Sequence, residues 1–210
     1  MRRRITVIHN PAAGRRSREW LRLVLKELAS IGVVATLETT ARRGDTEALA
    51  CGLEAGNCEA LAVAGGDGRV NEVANGLGRE GPPLALIPTG TVNVMAAEIG
   101  LEPTAQAVAA AIATGTARHI HAGRVNGRRF LSMAGIGLDA RVVARVGPGL
   151  KRRLGRIAYA VQAVHEIASS QPHVYTFVLD GAPYWAAAAV VAKGRYYSER
   201  MICAPDARLT

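Results

Sequence analysis

The first half of the chain is written in short apolar runs separated by longer segments of helical spacing. Arg4 to Ile8, which alternates weakly, Val33 to Leu37, rich in β-branched residues, and the apolar runs Leu61 to Ala64 and Leu84 to Ile87 read as strands, Leu61 to Ala64 as a buried one. Between the first two, Ser17 is placed to cap a helix with Trp20, Leu21, Val24, Leu28 and Ile31 on one side and Gly32 at its end. Asp45 is placed to cap a helix over Thr46 to Glu54, and Arg69 to Leu77 carries Val70, Val73 and Leu77 at helical spacing. A further helix starts near Asn93 and stops at Gly100. An alanine-rich one follows over Thr104 to Thr114, with Pro103 in its first turn and Gly115 at its close. Strand and helix alternating in this way predict an α/β fold with a parallel, doubly wound, Rossmann-like sheet.

The pattern then turns β-rich. Ala117 to Val125, the pair Asn126-Gly127 and Arg128 to Met133 predict a hairpin with a type I′ turn, which sets His119 and His121 on one strand face. Asp139 is placed to cap a short helix bearing Val142, Val143 and Val146, and a longer helix is expected over Leu150 to Ala168. His173 to Leu179, Asp180-Gly181 and Tyr184 to Ala192 predict a second hairpin. The boundary between the two patterns falls near Thr116.

Composition narrows the class. A hydrophobic fraction of 49% and a charged fraction of 20% describe an ordinary globular protein. No apolar run approaches the ~20 residues of a membrane helix, and His9-Asn10-Pro11 interrupts the basic-then-apolar start too early for a leader peptide. Cys51, Cys58 and Cys203 are odd in number, lack a close metal-ligand pair and read as free thiols in a reducing cytosol. A net charge of +9 raises nucleic acid as a partner, but aromatics are only 4% and no nucleic-acid-binding motif is present. Phosphate-bearing ligands, an anionic membrane meeting Lys151-Arg152-Arg153 and Arg156, or a plain solvated surface remain open.

Candidate chemistry centres on Leu61 to Glu72, LAVAGGDGRVNE. A strand, a glycine turn and a helix aim free N–H groups and a positive helix end at a phosphate, and glycine lets the backbone approach it closely. Asp67 would repel a phosphate, so it is either a helix cap or a group working with a divalent cation or a proton. Pro83 to Gly100 repeats the layout, with a polar turn over Pro88 to Thr91. Two such turns on neighbouring strands lie where open α/β sheets bind ligands.

Four blocks in order, HNPAAG (His9 to Gly14), GGDGRVNEVANGL (Gly65 to Leu77), IPTGTVNVMA (Ile87 to Ala96) and SMAGIGLDARVV (Ser132 to Val143), resemble the diacylglycerol kinase catalytic domain family. Bacterial lipid kinases, sphingosine kinases and ceramide kinases share that domain. The resemblance implies an ATP-dependent, Mg²⁺-requiring lipid kinase, with residues 1–116 binding the nucleotide and 117–210 forming part of a lipid-acceptor domain. Asn10, Pro11, Ala12, Ala13 and Gly14, with Gly65, Gly66, Asp67, Gly68, Arg69, Val70 and Asn71, would form two loops gripping the phosphates. Asn71 and Glu72 would fix the second loop from the first helical turn, Thr40 and Thr91 would lie by the nucleotide, and Asp67 would be the central acid. No residue is assigned as a protein metal ligand, and Asp139 is read as a structural cap.

The implied partner is a lipid presented at a membrane surface, with anionic phospholipid and no nucleic acid. The implied location is cytoplasmic, peripheral to the inner face of the membrane. The family carries threonine where this chain has Arg69, whose guanidinium would reach the phosphates or crowd them. Val92 replaces a small residue, and Lys193 and Ser198-Glu199 replace an asparagine and glycines. Related proteins continue beyond the point matching Thr210. The expectation is therefore an incomplete second domain whose last strand is an open edge, and a 210-residue chain that self-associates, binds nucleotide weakly and phosphorylates little lipid. Two alternatives stand beside this reading: a non-catalytic nucleotide- or phospholipid-binding relic, and an NAD kinase-like enzyme with a soluble acceptor. The GIGLDA block and the hairpins argue against the second.

Overall fold

A computed structural model describes residues 1–54, 56–145, 165, 173–198 and 200–210. The chain divides into two compact units, 1–132 with 193–210, and 133–192. In the first, β1 (Arg4–His9), β2 (Val34–Thr39), β3 (Ala60–Gly65) and β4 (Leu84–Pro88) form a parallel sheet in the order β2-β1-β3-β4. All six residues of β3 are buried, as a strand covered on both faces requires, and its sequence ALAVAG is accordingly apolar throughout.

Alternate residues of these strands face two cores. Ile5, Val7, Ala62 and Ile87 pack with Leu21, Val24 and Leu28 of α1 (Arg15–Ser30) and with Val108 and Ile112 of α5 (Ala105–Thr114). Ile8, Leu61, Val63 and Leu86 pack with Ala50 of α2 (Asp45–Cys51), Val70 and Val73 of α3 (Asp67–Gly76), and Met95 of α4 (Val94–Glu98). The chain winds from β1 out to β2, then returns past β1 to β3, so the strand order reverses between β1 and β3. In open α/β sheets the ligand crevice lies at such a reversal, at the carboxyl ends of the strands.

The first β-hairpin is shorter than its sequence predicts. β5 (Gly123–Val125) and β6 (Arg128–Phe130) flank Asn126 and Gly127, whose φ values of 48° and 78° make the expected type I′ turn. Residues 117–122 form no strand, so His119 and His121 do not share a strand face. The free edge of β6 is instead met by a side chain: the Asn75 carboxamide accepts the Arg129 N–H at 2.9 Å and donates to the Arg129 carbonyl at 3.0 Å. Residues 193–210 carry β11 (Tyr196–Ser198) and β12 (Met201–Ile202), which pair with each other, so the last strand is not left unpaired. The Tyr196 N–H donates to Glu98 Oε1 at 2.5 Å and the His121 N–H to the Leu209 carbonyl at 2.8 Å.

In the second unit, β7 (Met133–Gly137) leads into α6 (Leu138–Arg145), with Asp139 the second helical residue rather than the residue before the helix. β8 (Tyr175–Leu179) and β9 (Ala182–Ala186) form the second hairpin around Asp180 and Gly181 at φ 50° and 83°. The strand expected over Tyr184 to Ala192 divides, and β10 (Ala188–Ala192) pairs antiparallel with β7. The helix read over 150–168 lies outside the described residues, His165 apart, as does the basic run Lys151 to Arg153 with Arg156. Among the described residues no helix is long and apolar enough to cross a membrane.

Two helix starts also differ from expectation. α1 begins directly after Gly14, so Ser17 lies inside its first turn, and Ile31 falls beyond its end with 41% exposure. α2 begins after Gly44 at φ 93°, and the Asp45 carboxylate turns back to accept the Ala41 and Arg42 N–H groups at 2.8 and 2.7 Å. α2 and α3 touch closely at Gly76, where a Cβ would overlap the Glu47 carbonyl oxygen. Gly76→Ala should therefore force the helices apart and cost about 1–3 kcal/mol, read as a lower urea midpoint. An unchanged midpoint would mean that the pair slides freely.

Candidate functional site

Two glycine turns meet at the carboxyl ends of β3 and β4. The Thr89 N–H donates to the Gly65 carbonyl at 3.1 Å, carrying the strand pairing one step into the turns. A Cβ on Gly90 would overlap the Gly66 Cα, so that position requires glycine, and one on Gly66 would crowd the Gly90 Cα. Asn93 holds the second turn from within: its Oδ1 accepts the Gly90 N–H and its Nδ2 donates to the Gly90 carbonyl, each at 2.9 Å. This places Asn93 at φ 53°, a left-handed conformation that asparagine tolerates better than most residues.

Asp67 joins the two turns. Its Oδ2 accepts the Val94 N–H at 3.0 Å and its Oδ1 the Met95 N–H at 2.9 Å. The carboxylate thus caps α4, a helix 27 residues further along the chain, while standing in the first turn of α3. A carboxylate offers about four acceptor sites, so two remain for other contacts.

Across the crevice, Asn10 to Gly14 forms a turn of small residues at the end of β1. Asn10 Oδ1 accepts the Ala12 N–H at 2.9 Å and the Asn10 carbonyl accepts the Ala13 N–H at 3.0 Å. Pro11, Ala12 and Gly14 are exposed. Ser17, from the first turn of α1, donates to the Thr89 carbonyl at 3.4 Å. Thr40 follows β2 and bonds the His9 carbonyl through both its N–H (3.0 Å) and its hydroxyl (3.3 Å).

Arg69 spans between the two sides. Its stem passes over Gly65, where a Cβ would strike the Arg69 Cβ and Cδ. Its Nη1 donates to Thr40 Oγ1 at 2.8 Å and to Thr46 Oγ1 at 3.3 Å. Both threonines are almost fully buried. The His9 imidazole has its pKa lowered first by burial and then by the Arg69 charge.

The predicted residues thus divide. Gly65, Gly66, Asp67, Arg69 and Thr40 join one hydrogen-bonded and packed assembly. Gly68 and Thr91 are exposed at its rim, and Asn71 and Glu72 are half-buried on α3. Val70 is 5% exposed and belongs to the core. Thr46 and His9 carry no site signal in the sequence, and Ser17 reads there only as a helix cap. Thr46 and Ser17 resemble ordinary helix-end polarity and His9 an ordinary strand end, and only the arrangement of neighbouring strands gives these three their partners.

A group of three or more His, Cys, Asp or Glu side chains suited to a metal is absent among the described residues. Mg²⁺ carried on nucleotide phosphates needs only one or two carboxylates, and Asp67 retains acceptor capacity for one such contact.

The sequence matches the diacylglycerol kinase catalytic domain over residues 4–125 and the YegS C-terminal NAD kinase beta sandwich-like domain over residues 132–210. A diacylglycerol kinase of Bacillus subtilis (strain 168) is 33% identical over 184 residues, covering 85% of this chain and 60% of that protein. A Pseudomonas aeruginosa PAO1 protein named "Probable lipid kinase YegS-like" is 35% identical over 157 residues, covering 74% of this chain and 51% of its own length. The crystal structure of a diacylglycerol kinase from Bacillus anthracis str. Sterne shares the fold, with a TM-score of 0.73 at 24% identity over 99% of this chain and 70% of that one. The chain therefore spans between half and two thirds of the length of these two sequence relatives.

Two outcomes follow from the site's bonding. Asp67→Ala leaves two α4 N–H groups without their acceptor. It should cost about 1–2 kcal/mol. Urea denaturation reads this, and an unchanged midpoint would mean that water replaces the cap in full. For His9 the folded-state pKa lies below 6.5, so the unfolded chain binds more protons just below that value and stability rises with pH through the range. His9→Gln should flatten the rise of the denaturation midpoint as pH increases towards 6.5. An unaltered slope would show that His9 does not set it.

Proposed function

The chain belongs to the diacylglycerol kinase catalytic domain family, and from that premise we propose that it binds Mg-ATP and serves the transfer of the γ-phosphoryl group to a lipid hydroxyl. The observation that carries the proposal is the locked pair of glycine turns, Gly65-Gly66 against Gly90, at the carboxyl ends of β3 and β4, beside the strand-order reversal between β1 and β3. Phosphoryl transfer asks a protein chiefly for placement in line and for charge neutralisation. Backbone N–H groups of Gly66 to Gly68, at the start of α3, supply donors for phosphate oxygens, the small residues of the Asn10 to Gly14 turn leave room beside them, and Arg69 supplies positive charge. Mg²⁺, when bound, would add to that neutralisation, with Asp67 the carboxylate that has acceptor capacity to hold it.

Asp67 works in this scheme as the positioning acid, holding α4 and the second turn while its spare lone pairs face the bound group. Asn71, Glu72, Thr40 and Thr91 shape the surrounding wall. The nucleotide is assigned to the α/β part, 1–116, and a diacylglycerol-like acceptor to the β-rich part, 117–210. The acceptor meets the enzyme at an anionic phospholipid surface on the cytoplasmic side, to which the protein binds peripherally. A net charge of +9 favours that surface.

Calorimetric titration with Mg-ATP, followed by γ-labelled ATP with mixed micelles of diacylglycerol and phosphatidylglycerol, tests the proposal. Saturable binding and label in the lipid phase are expected. Binding with no transfer to any lipid would leave a nucleotide-binding relic. Label on added NAD would move the acceptor to a soluble molecule, and absence of nucleotide binding would overturn the proposal.

A further inference from the structure

Arg69 is a half-buried cation with no ion pair among the described residues. Charges withdrawn from water are ordinarily matched by an opposite charge. Here the partners are two neutral hydroxyls, Thr40 and Thr46, which engage only Nη1. Nε and Nη2 donate no hydrogen bond among the described residues, and neither is sealed from solvent. The guanidinium is therefore fixed at one corner, by partners that are themselves nearly fully buried, and open along the rest of its donor fork.

Its position is equally constrained. The stem lies across Gly65, at the end of the strand bordering the crevice, and its charge lowers both the His9 and, through a lesser contribution, the Asp45 pKa. A planar fork held in place loses little entropy when it takes an oxyanion, and guanidinium matches phosphate oxygens in pairs.

We propose that Arg69 is a built-in counter-cation for the phosphates of the bound nucleotide, so that this chain retains much of its nucleotide affinity when no divalent cation is present. The inference rests on the proposed nucleotide-binding function and adds to it which charge replaces metal in the ground state. Nη1 keeps its threonine bonds, and the remaining N–H groups take phosphate oxygen. A threonine at this position, as the family ordinarily carries, has no charge to offer and leaves that neutralisation to the metal.

Affinity for ATP is measured with Mg²⁺ and with EDTA on wild type, Arg69→Thr and Arg69→Gln. The glutamine variant removes the charge while keeping the stem across Gly65 and a shorter amide donor. Binding of adenosine, which has no phosphate, reports the integrity of the base site. Wild type should lose less than about 10-fold on removing Mg²⁺, and both variants should bind metal-free ATP about 10- to 100-fold more weakly, as for a lost charge-assisted bond, with adenosine affinity unchanged. Equal losses for ATP and adenosine in the glutamine variant would make Arg69 a structural clamp and overturn the inference. Wild-type binding of Mg-ATP with none of metal-free ATP would overturn it while leaving the proposed function standing. Failure of wild type to bind nucleotide under either condition would remove both. Should the threonine variant not fold, the glutamine variant decides alone.

Discussion

Backbone contact between Gly66 and Gly90 is the constraint on which the site depends. Two turns after adjacent parallel strands can approach this closely only where position 90 carries no Cβ. Once they do, three polar links become geometrically available. The Thr89 N–H reaches the Gly65 carbonyl, the Asn93 carboxamide closes on Gly90, and the Asp67 carboxylate reaches the first N–H groups of α4. Asn93, a natural cap by residue type, spends its side chain inside the turn, and a carboxylate from the preceding crossover supplies the cap. A carboxylate at a helix start also meets the favourable end of the peptide dipoles.

The opposite wall of the crevice is built differently. Asn10 to Gly14 is held by its own local hydrogen bonds, and most of its residues are exposed. Segments with few buried contacts and local bonding open at low free-energy cost. A ligand entering at the strand-order reversal thus meets one wall fixed by backbone packing and another that can adjust. Ser17 and Arg69 are the links between them, the first from α1 to the Thr89 carbonyl, the second from α3 to Thr40 and Thr46.

Much of this arrangement is legible in the sequence because its determinants are local. An apolar run closed by two glycines and followed by helical spacing leaves few backbone solutions, so β3, β4 and their turns fall where the pattern puts them. Asn126-Gly127 and Asp180-Gly181 likewise specify their turns through residues that accept positive φ. What is not legible is the choice of distant partner. Nothing around Asp67 announces a helix 27 residues away, and Ser17 reads as a cap until β4 brings Thr89 beside it. Strand division is hidden for the same reason: residues 184–192 are apolar throughout, and only the presence of β7 decides that β10 leaves the hairpin. Residues 117–122 form no ladder, and there the His121 N–H goes to the Leu209 carbonyl, a partner 88 residues away that no local pattern announces.

Arg69 orders the hydrogen bonds around it. A guanidinium only donates, so the Thr40 oxygen must accept from it and the Thr40 proton must point to the His9 carbonyl. The direction of the chain Arg69 to Thr40 to His9 is thereby set, and bonds aligned in this way polarise one another. A threonine at position 69 would be too short to span this distance, and Thr40 would be free to choose its own donor and acceptor. The glycine at 65 is what permits the longer residue, because any side chain there would lie in the path of the arginine stem. The charge at position 69 therefore acts on the ends of three strands at once: β3 through the stem, β2 through Thr40, and β1 through the His9 carbonyl and imidazole.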